Sequence, residues 1–319
     1  MDPACGSGIF LRTLLELQCN PFIPETSTQT IQAAFSAVTG IDKDPNACDA
    51  TRLSLTLLHL VATGSLPGAL SIHNSDAIEL ATRGEIAPGS FGAIIANPPY
   101  IKLDNLLAAE REIYGAFLAD DPVGRIDSYV AFVKLCLEAV EPGGYVCLVL
   151  PQVFLMARNT AYLRKKITNS FNVRCLIDLT AIRVFEGVGT YNILLIIQRK
   201  AEGITDYPVA QIGRVQGFVG PALQACLEGR TAETPYYTIF EVRQTYFKRE
   251  TWSLLTPGEA ELNTRLRAFH PIQNYLSVKQ GFLSGADKIF ILPKLLGLGP
   301  IKRDLYTSLT QYPKWSRLP

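Results

Sequence analysis

Phe91-Gly92-Ala93-Ile94-Ile95-Ala96-Asn97-Pro98-Pro99-Tyr100 begins as an aliphatic run of strand length and ends on two consecutive prolines. Each proline fixes φ and removes an amide donor, so the chain leaves the sheet in a stiff, extended form with its carbonyls free. An amide side chain, a bare carbonyl and an aromatic ring are thereby presented together beyond a strand end. The Asn97 side-chain oxygen and the Pro98 carbonyl can each accept one N–H, while Tyr100 can stack on a ring face. That constellation suits an exocyclic amino group attached to a planar ring. Its structural alternative is a turn with a satisfied Asn and a packed Tyr.

On both sides of this stretch, short aliphatic runs alternate with longer helical patterns, the signature of a parallel sheet wound with crossover helices. Candidate strands cover 37–41, 69–73, 91–96, 145–150, 173–178 and 192–198, with helices over 9–19, 45–62 and 127–140. Asp44 fits the N-cap of the second helix, with Pro45 at its first position, and Glu141-Pro142-Gly143-Gly144 is expected to end the third. Only 180–191 separates the last two strands, too little for a helical crossover, so they are expected to pair antiparallel. The expected fold is therefore a Rossmann-like α/β sheet, mostly parallel, with a C-terminal antiparallel hairpin.

Three further turns fall at strand ends. Asp2-Pro3-Ala4-Cys5-Gly6-Ser7-Gly8 leads straight into a helix; its glycines admit close backbone approach of a ligand, or merely tight strand-to-helix packing. A dinucleotide fingerprint fits poorly, because its third glycine would fall at Leu11. Asp42, in Gly40-Ile41-Asp42-Lys43-Asp44-Pro45, can accept both hydroxyls of a ribose; helix capping suits Asp44 better. Asp76, in Asn74-Ser75-Asp76-Ala77, can meet the amino group of an adenine ring. Ligands of open α/β sheets lie beyond the carboxyl ends of the strands, so these turns converge on one crevice.

With 319 residues, 48% of them hydrophobic and 18% charged, the chain can bury a sizeable core, which excludes disordered and low-complexity classes. The longest apolar stretch, 145–157, is interrupted at Pro151 and Gln152 and is too short for a membrane span. Seven cysteines, an odd number without a C-x-x-C pair, argue against a disulfide framework and a zinc ribbon and fit a reducing cytoplasm. Three isolated histidines suggest structural roles, and no metal is expected. Residues 1–200 carry 16 basic and 19 acidic side chains, and 201–319 carry 14 and 10, so the tail is the better candidate for a polyanion. A local basic cluster, Arg158, Arg164, Lys165, Lys166 and Arg174, reads equally as a solvated helix face or a phosphate contact.

In order along the chain, D-P-A-C-G-S-G, G-I-D-x-D-P, the strand-end Asp76 and N-P-P-Y resemble the γ-class of S-adenosylmethionine-dependent adenine-N6 DNA methyltransferases of type II restriction–modification and related phage-defence systems. The resemblance covers about 1–200 and continues more loosely through Gln280 to Phe290. It implies that Asp2, Ala4 and Gly6 line the methionine side of the cofactor, Asp42 holds its ribose and Asp76 its adenine. Asn97, Pro98, Pro99 and Tyr100 would then form the catalytic corner. Phe185 would be a second aromatic against the flipped base, or else a core residue. Transfer would be direct and in line, from S-adenosylmethionine to an adenine extruded from double-stranded DNA. Cys5 would be only a small neighbour of the cofactor.

The resemblance also implies a catalytic domain over 1–200, a linker over 201–239 and the start of a target-recognition domain over 240–319. The glycine turn would ordinarily follow a central strand, so a fragment lacking that first strand is expected, with an upstream nuclease, helical domain or partner subunit as possible complements. Two other readings stay open: an N-P-P-Y methyltransferase acting on a protein glutamine or rRNA guanine, and an inactive DNA-binding remnant.

Overall fold

The computed structural model describes residues 1–19, 27–119, 127–182, 191–203 and 207–270. Contacts divide the chain into a unit of Met1–Pro257 and a second of Gly258–Pro319. In order, the first unit holds α1 (Ile9–Gln18), α2 (Thr28–Ala37), β1 (Thr39–Asp42), α3 (Pro45–Thr63), β2 (Ser71–Asn74), α4 (Ala77–Thr82), β3 (Phe91–Ala96), α5 (Ala108–Phe117), α6 (Tyr129–Ala139), β4 (Val140–Pro151), α7 (Ala161–Ser170), β5 (Phe171–Asp178), β6 (Asn192–Arg199), β7 (Val209–Val215), α8 (Val219–Leu227), β8 (Ala232–Glu233) and β9 (Tyr237–Arg243). The described part of the second unit consists mainly of a short polar helix, α9, which begins at Pro257 and runs to Arg267.

β1 and β2 pair in parallel, and a seven-stranded sheet runs β3-β4-β6-β5-β7-β9-β8. Met1 and Asp2 stand where the central strand was expected. The Asp2 N–H donates to Thr39 O and the Ile41 N–H to Asp2 O, while the Ile95 N–H donates to Met1 O. These two residues thus join β1 to β3 in the parallel sense and align the carboxyl ends of β2, β1, β3 and β4. β6 lies between β4 and β5, antiparallel to both, so the expected hairpin is present.

Alternation explains the core. Val146, Leu148 and Leu150 of β4 and Ile193, Leu195 and Ile197 of β6 face one side with α6, whose nine buried residues make it the most enclosed helix among those described. Two expected boundaries move. The fourth strand begins at Val140 rather than at Tyr145, directly after the third helix, because it already pairs with β3 there, and Gly143 then turns with φ 84°. The first strand begins at Thr39, since α2 runs through Ala37.

Much of the stretch expected as a linker, 201–239, is regular structure among its described residues. β7 pairs in parallel with β5 over Cys175–Asp178, β9 pairs antiparallel with β7, and α8 buries Ala222, Ala225 and Cys226 against them. An apolar edge at β5 requires such cover, and its partners lie in a stretch with no strong sequence period. Arg164 departs from both readings of the basic cluster. It is 2% exposed and donates through Nε and Nη2 to Glu250 O and through Nη1 to Phe154 O and the Thr160 hydroxyl. Lys166 pairs with Glu138, and Arg174 stacks on Tyr207, which leaves Arg158 and Lys165 exposed.

Candidate active site

At the carboxyl ends of β1, β2 and β3 lies a cleft of about 210 Å³ whose lining includes Pro3, Ala4, Asp42, Lys43, Asp76, Asn97, Pro99, Tyr114 and Ser128. The sequence-expected Ala4, Asp42, Asp76, Asn97 and Pro99 therefore meet in one place. Asp2 is buried behind them, and Gly6 forms the adjoining turn. Phe185 and the segment from Gln280 to Phe290 lie outside the described residues.

The glycine turn is built by side chains. Asp42 Oδ2 accepts the Gly6 N–H at 2.8 Å, Asp42 Oδ1 accepts the Asp44 N–H, and the Thr51 hydroxyl donates to Gly6 O at 2.8 Å. Gly6 and Gly8 have φ of 52° and 79°, backbone that an L side chain enters only with strain. A Cβ on Gly8 would meet Thr51 at 2.6 Å, whereas one on Gly6 would meet nothing within 4 Å. Gly8 is thus a packing requirement, and Gly6 leaves open space over the turn.

Asp76 serves two purposes at once. Its Oδ1 caps α4 by accepting from Ile78 N and Glu79 N, and its Oδ2 accepts the Tyr114 hydroxyl at 3.0 Å. Asp2 is 1% exposed and accepts the Ala4 N–H. Burial raises its pKa to about 7, against the partial relief of that bond. Burial also pushes the Cys5 thiol up to about 12, with Asp2 adding to the effect, so Cys5 carries no thiolate for nucleophilic attack near neutral pH.

The diproline corner is fixed by a residue that sequence reasoning missed. Ser128, 1% exposed, donates its hydroxyl to Pro99 O at 2.5 Å and accepts the Ile101 N–H, while its own N–H donates to Ile101 O. The Tyr100 hydroxyl is shared between Val149 O at 3.0 Å and Asn97 Oδ1 at 3.2 Å, and its ring meets Tyr129 edge-on. Among the described residues, no donor reaches the Pro98 carbonyl. No local signal marked Ser128 or Tyr114, since both partner the site across long sequence separations.

The donor set fits an adenosyl sulfonium. Carboxylates at the ends of β1 and β2 accept hydroxyls and an amine, open space lies over Gly6, and the acidic wall favours a cation while repelling the phosphates of a dinucleotide. Such strand-end carboxylates beside a glycine turn, on a sheet wound in this way, define a class I S-adenosylmethionine-dependent methyltransferase fold. A Listeria monocytogenes structure described as a methyltransferase of that class matches with a TM-score of 0.50 at 15% identity, over 72% of this chain and 61% of that one.

Residues 36–185 match the model of the Eco57I restriction-modification methylase family. The chain is similar to the type II methyltransferase M.BanIII of Aneurinibacillus aneurinilyticus, 23% identical over 91% of this chain and 52% of that protein. It is also similar to the adenine-specific methyltransferase PglX of Streptomyces coelicolor, 23% identical over 90% of this chain and 29% of that one. The chain thus spans about half, or less, of the length of these relatives. Among the described residues, no helix is long and apolar enough to cross a membrane.

Proposed function

We propose that this chain carries the catalytic part of a cytoplasmic DNA methyltransferase that moves a methyl group from S-adenosylmethionine to the N6 amino group of adenine. One observation carries the reading: Asn97, on a corner pinned by Ser128, shares a cleft with Asp42 and Asp76. Asp42 would receive the ribose, Asp76 the cofactor's adenine, and Asp2 and the glycine turn the methionine end. When bound, the cofactor supplies an electrophilic methyl on a sulfonium.

The target amine is a poor nucleophile because its lone pair is delocalised into the purine. Acceptance of its two hydrogens by Asn97 Oδ1 and Pro98 O favours a more tetrahedral nitrogen, and Tyr100 supplies a ring face for the extruded base. Pro98 and Pro99 keep both acceptors in place without side-chain reorganisation. The Asn97 oxygen has two lone pairs, so it can hold the Tyr100 hydroxyl and an amine together. Duplex DNA, rather than ribosomes or a protein glutamine, is favoured by the match to the Eco57I restriction-modification methylase family and by the adenine specificity in the name of PglX. Target recognition is assigned to the region after residue 257, and further subunits or domains would complete the assembly.

The test is transfer of labelled methyl to mixed-sequence duplex DNA, with nucleosides then separated and identified by mass. Wild type is expected to yield N6-methyladenine, and Asn97→Ala to lower the rate at least about a hundredfold, the scale of losing one preorganised transition-state contact. Equal signals from both proteins would remove Asn97 from the reaction. Label appearing in rRNA or release factor but not in DNA would replace the substrate.

A further inference from the structure

We infer that Tyr114, a residue with no catalytic atom to offer, sets the selectivity of the cofactor pocket by holding the Asp76 carboxylate in the orientation that recognises an amino-bearing purine. The inference rests on the cofactor reading above and goes beyond it to the residue that orients the acceptor.

The geometry is specific. Asp76 has one oxygen committed to the α4 N-terminus, where it accepts two backbone N–H groups, and the other within 3.0 Å of the Tyr114 hydroxyl. A carboxylate oxygen has two lone pairs, so Oδ2 keeps one free after the tyrosine has bonded. Both side chains line the cleft. Without the tyrosine, the cap alone would fix Oδ1, and Oδ2 would lose its only protein donor among the described residues. The tyrosine itself is held firmly. It is 4% exposed and its ring packs beside Phe132 of α6 at a centroid distance of 6.5 Å. Burial and the neighbouring carboxylate hold its hydroxyl far above the usual phenol range, so it stays a donor.

A second tether brings α5 to the same cleft. Lys43, next to Asp42, pairs with Glu110 of α5 at 3.1 Å, and Glu110 also accepts the Leu107 N–H at the start of that helix. One turn along α5, Tyr114 reaches Asp76. A single helix thus braces both the turn expected to hold a ribose and the one expected to hold a purine amine. The bond that bears on the ligand's amino group is the tyrosine's, which places Tyr114 among positioning residues.

The test uses the full chain and two probes: S-adenosylhomocysteine, and the analogue in which hydrogen replaces its 6-amino group. Dissociation constants from calorimetry give the preference for the amine. Wild type is expected to prefer S-adenosylhomocysteine about tenfold, the worth of roughly one hydrogen bond to a charged acceptor. Tyr114→Phe, which keeps the ring against Phe132, is expected to cut that preference to threefold or less while changing the affinity for the deamino analogue less than twofold. Asp76→Ala serves as the reference in which the preference disappears.

A Tyr114→Phe protein that keeps the full preference overturns the inference, as does one that loses affinity equally for both ligands, which is the mark of a packing role. Wild type binding neither ligand, or binding both alike, would instead refute the cofactor reading on which the inference stands.

Discussion

Asp2 shows how burying a single carboxyl can cost the fold. It sits behind the glycine turn with 1% exposure, and burial lifts its pKa from 3.8 to about 7. The folded state therefore holds a proton that the unfolded chain has released by pH 5. Stability contributed by protonated Asp2 is fully present below about pH 4 and is lost as pH rises through about 7. Asp2→Asn cannot ionise and keeps the acceptor for the Ala4 N–H. Urea melts of both proteins should show the variant gaining on wild type between pH 5 and pH 8, by up to a few kcal/mol. A difference that stays constant over that range would show that the carboxyl is ionised in the native protein throughout. Cys5 is shifted the same way: burial, with Asp2 adding to it, pushes its thiol out of nucleophilic range near neutral pH.

At the scale of elements, the site depends on how a loop is fastened to a helix. α6 is the best-buried helix among those described, and Ser128 at its N-terminus reaches back 29 residues to Pro99. Proline stiffness makes the corner extended, and Ser128, together with the Tyr100 hydroxyl on Val149 O, ties it to the rest of the fold. Ser128→Ala would leave Pro99 O and the Ile101 N–H without their side-chain partner in a buried setting, at a cost of about 1–3 kcal/mol. Urea melts should record that loss, and single-turnover methyl transfer should fall at least about tenfold, with the cofactor affinity unchanged. Normal transfer by a destabilised variant would confine Ser128 to the fold. Arg164 performs a comparable fastening for the segment that ends at Trp252, since it spans 86 residues to bond Glu250 O. Its charge reads in sequence as part of a basic face, yet its donors are spent on carbonyls.

For the molecule as a whole, the sheet continues past the point where sequence pattern weakens. β5 is an interior strand because β7 lies beside it, and Cys175, Ile177 and Leu179 are covered together with Val215, Cys226 and Ile239. Ending the chain at Lys200 would open that edge to water and strip its cover. A protein of residues 1–257 is expected to melt in one cooperative transition, whereas residues 1–200 should aggregate or show the loose packing of a chain that lacks a layer. Circular dichroism melts and size-exclusion chromatography of the two would check this. A well-folded 1–200 protein would restore the boundary read from composition.

The positions of six strands, three helices and the proline corner were legible in sequence because their signals are local. Aliphatic runs, Asp44-Pro45 at a helix start and Pro98-Pro99 at a strand end each act within a few residues. The same locality placed Asp42, Asp76 and Asn97 at strand ends, where the handedness of crossover connections brings them to one edge. Only the tertiary structure decided that β6 inserts between β4 and β5, that β7 to β9 extend the sheet, and that Ser128 and Tyr114 brace the corner and Asp76. Those pairings join residues 27 to 38 positions apart, or whole strands, and are selected by shape and burial in the packed state. A serine or a tyrosine carries no mark of such a partner until the chain has folded around it.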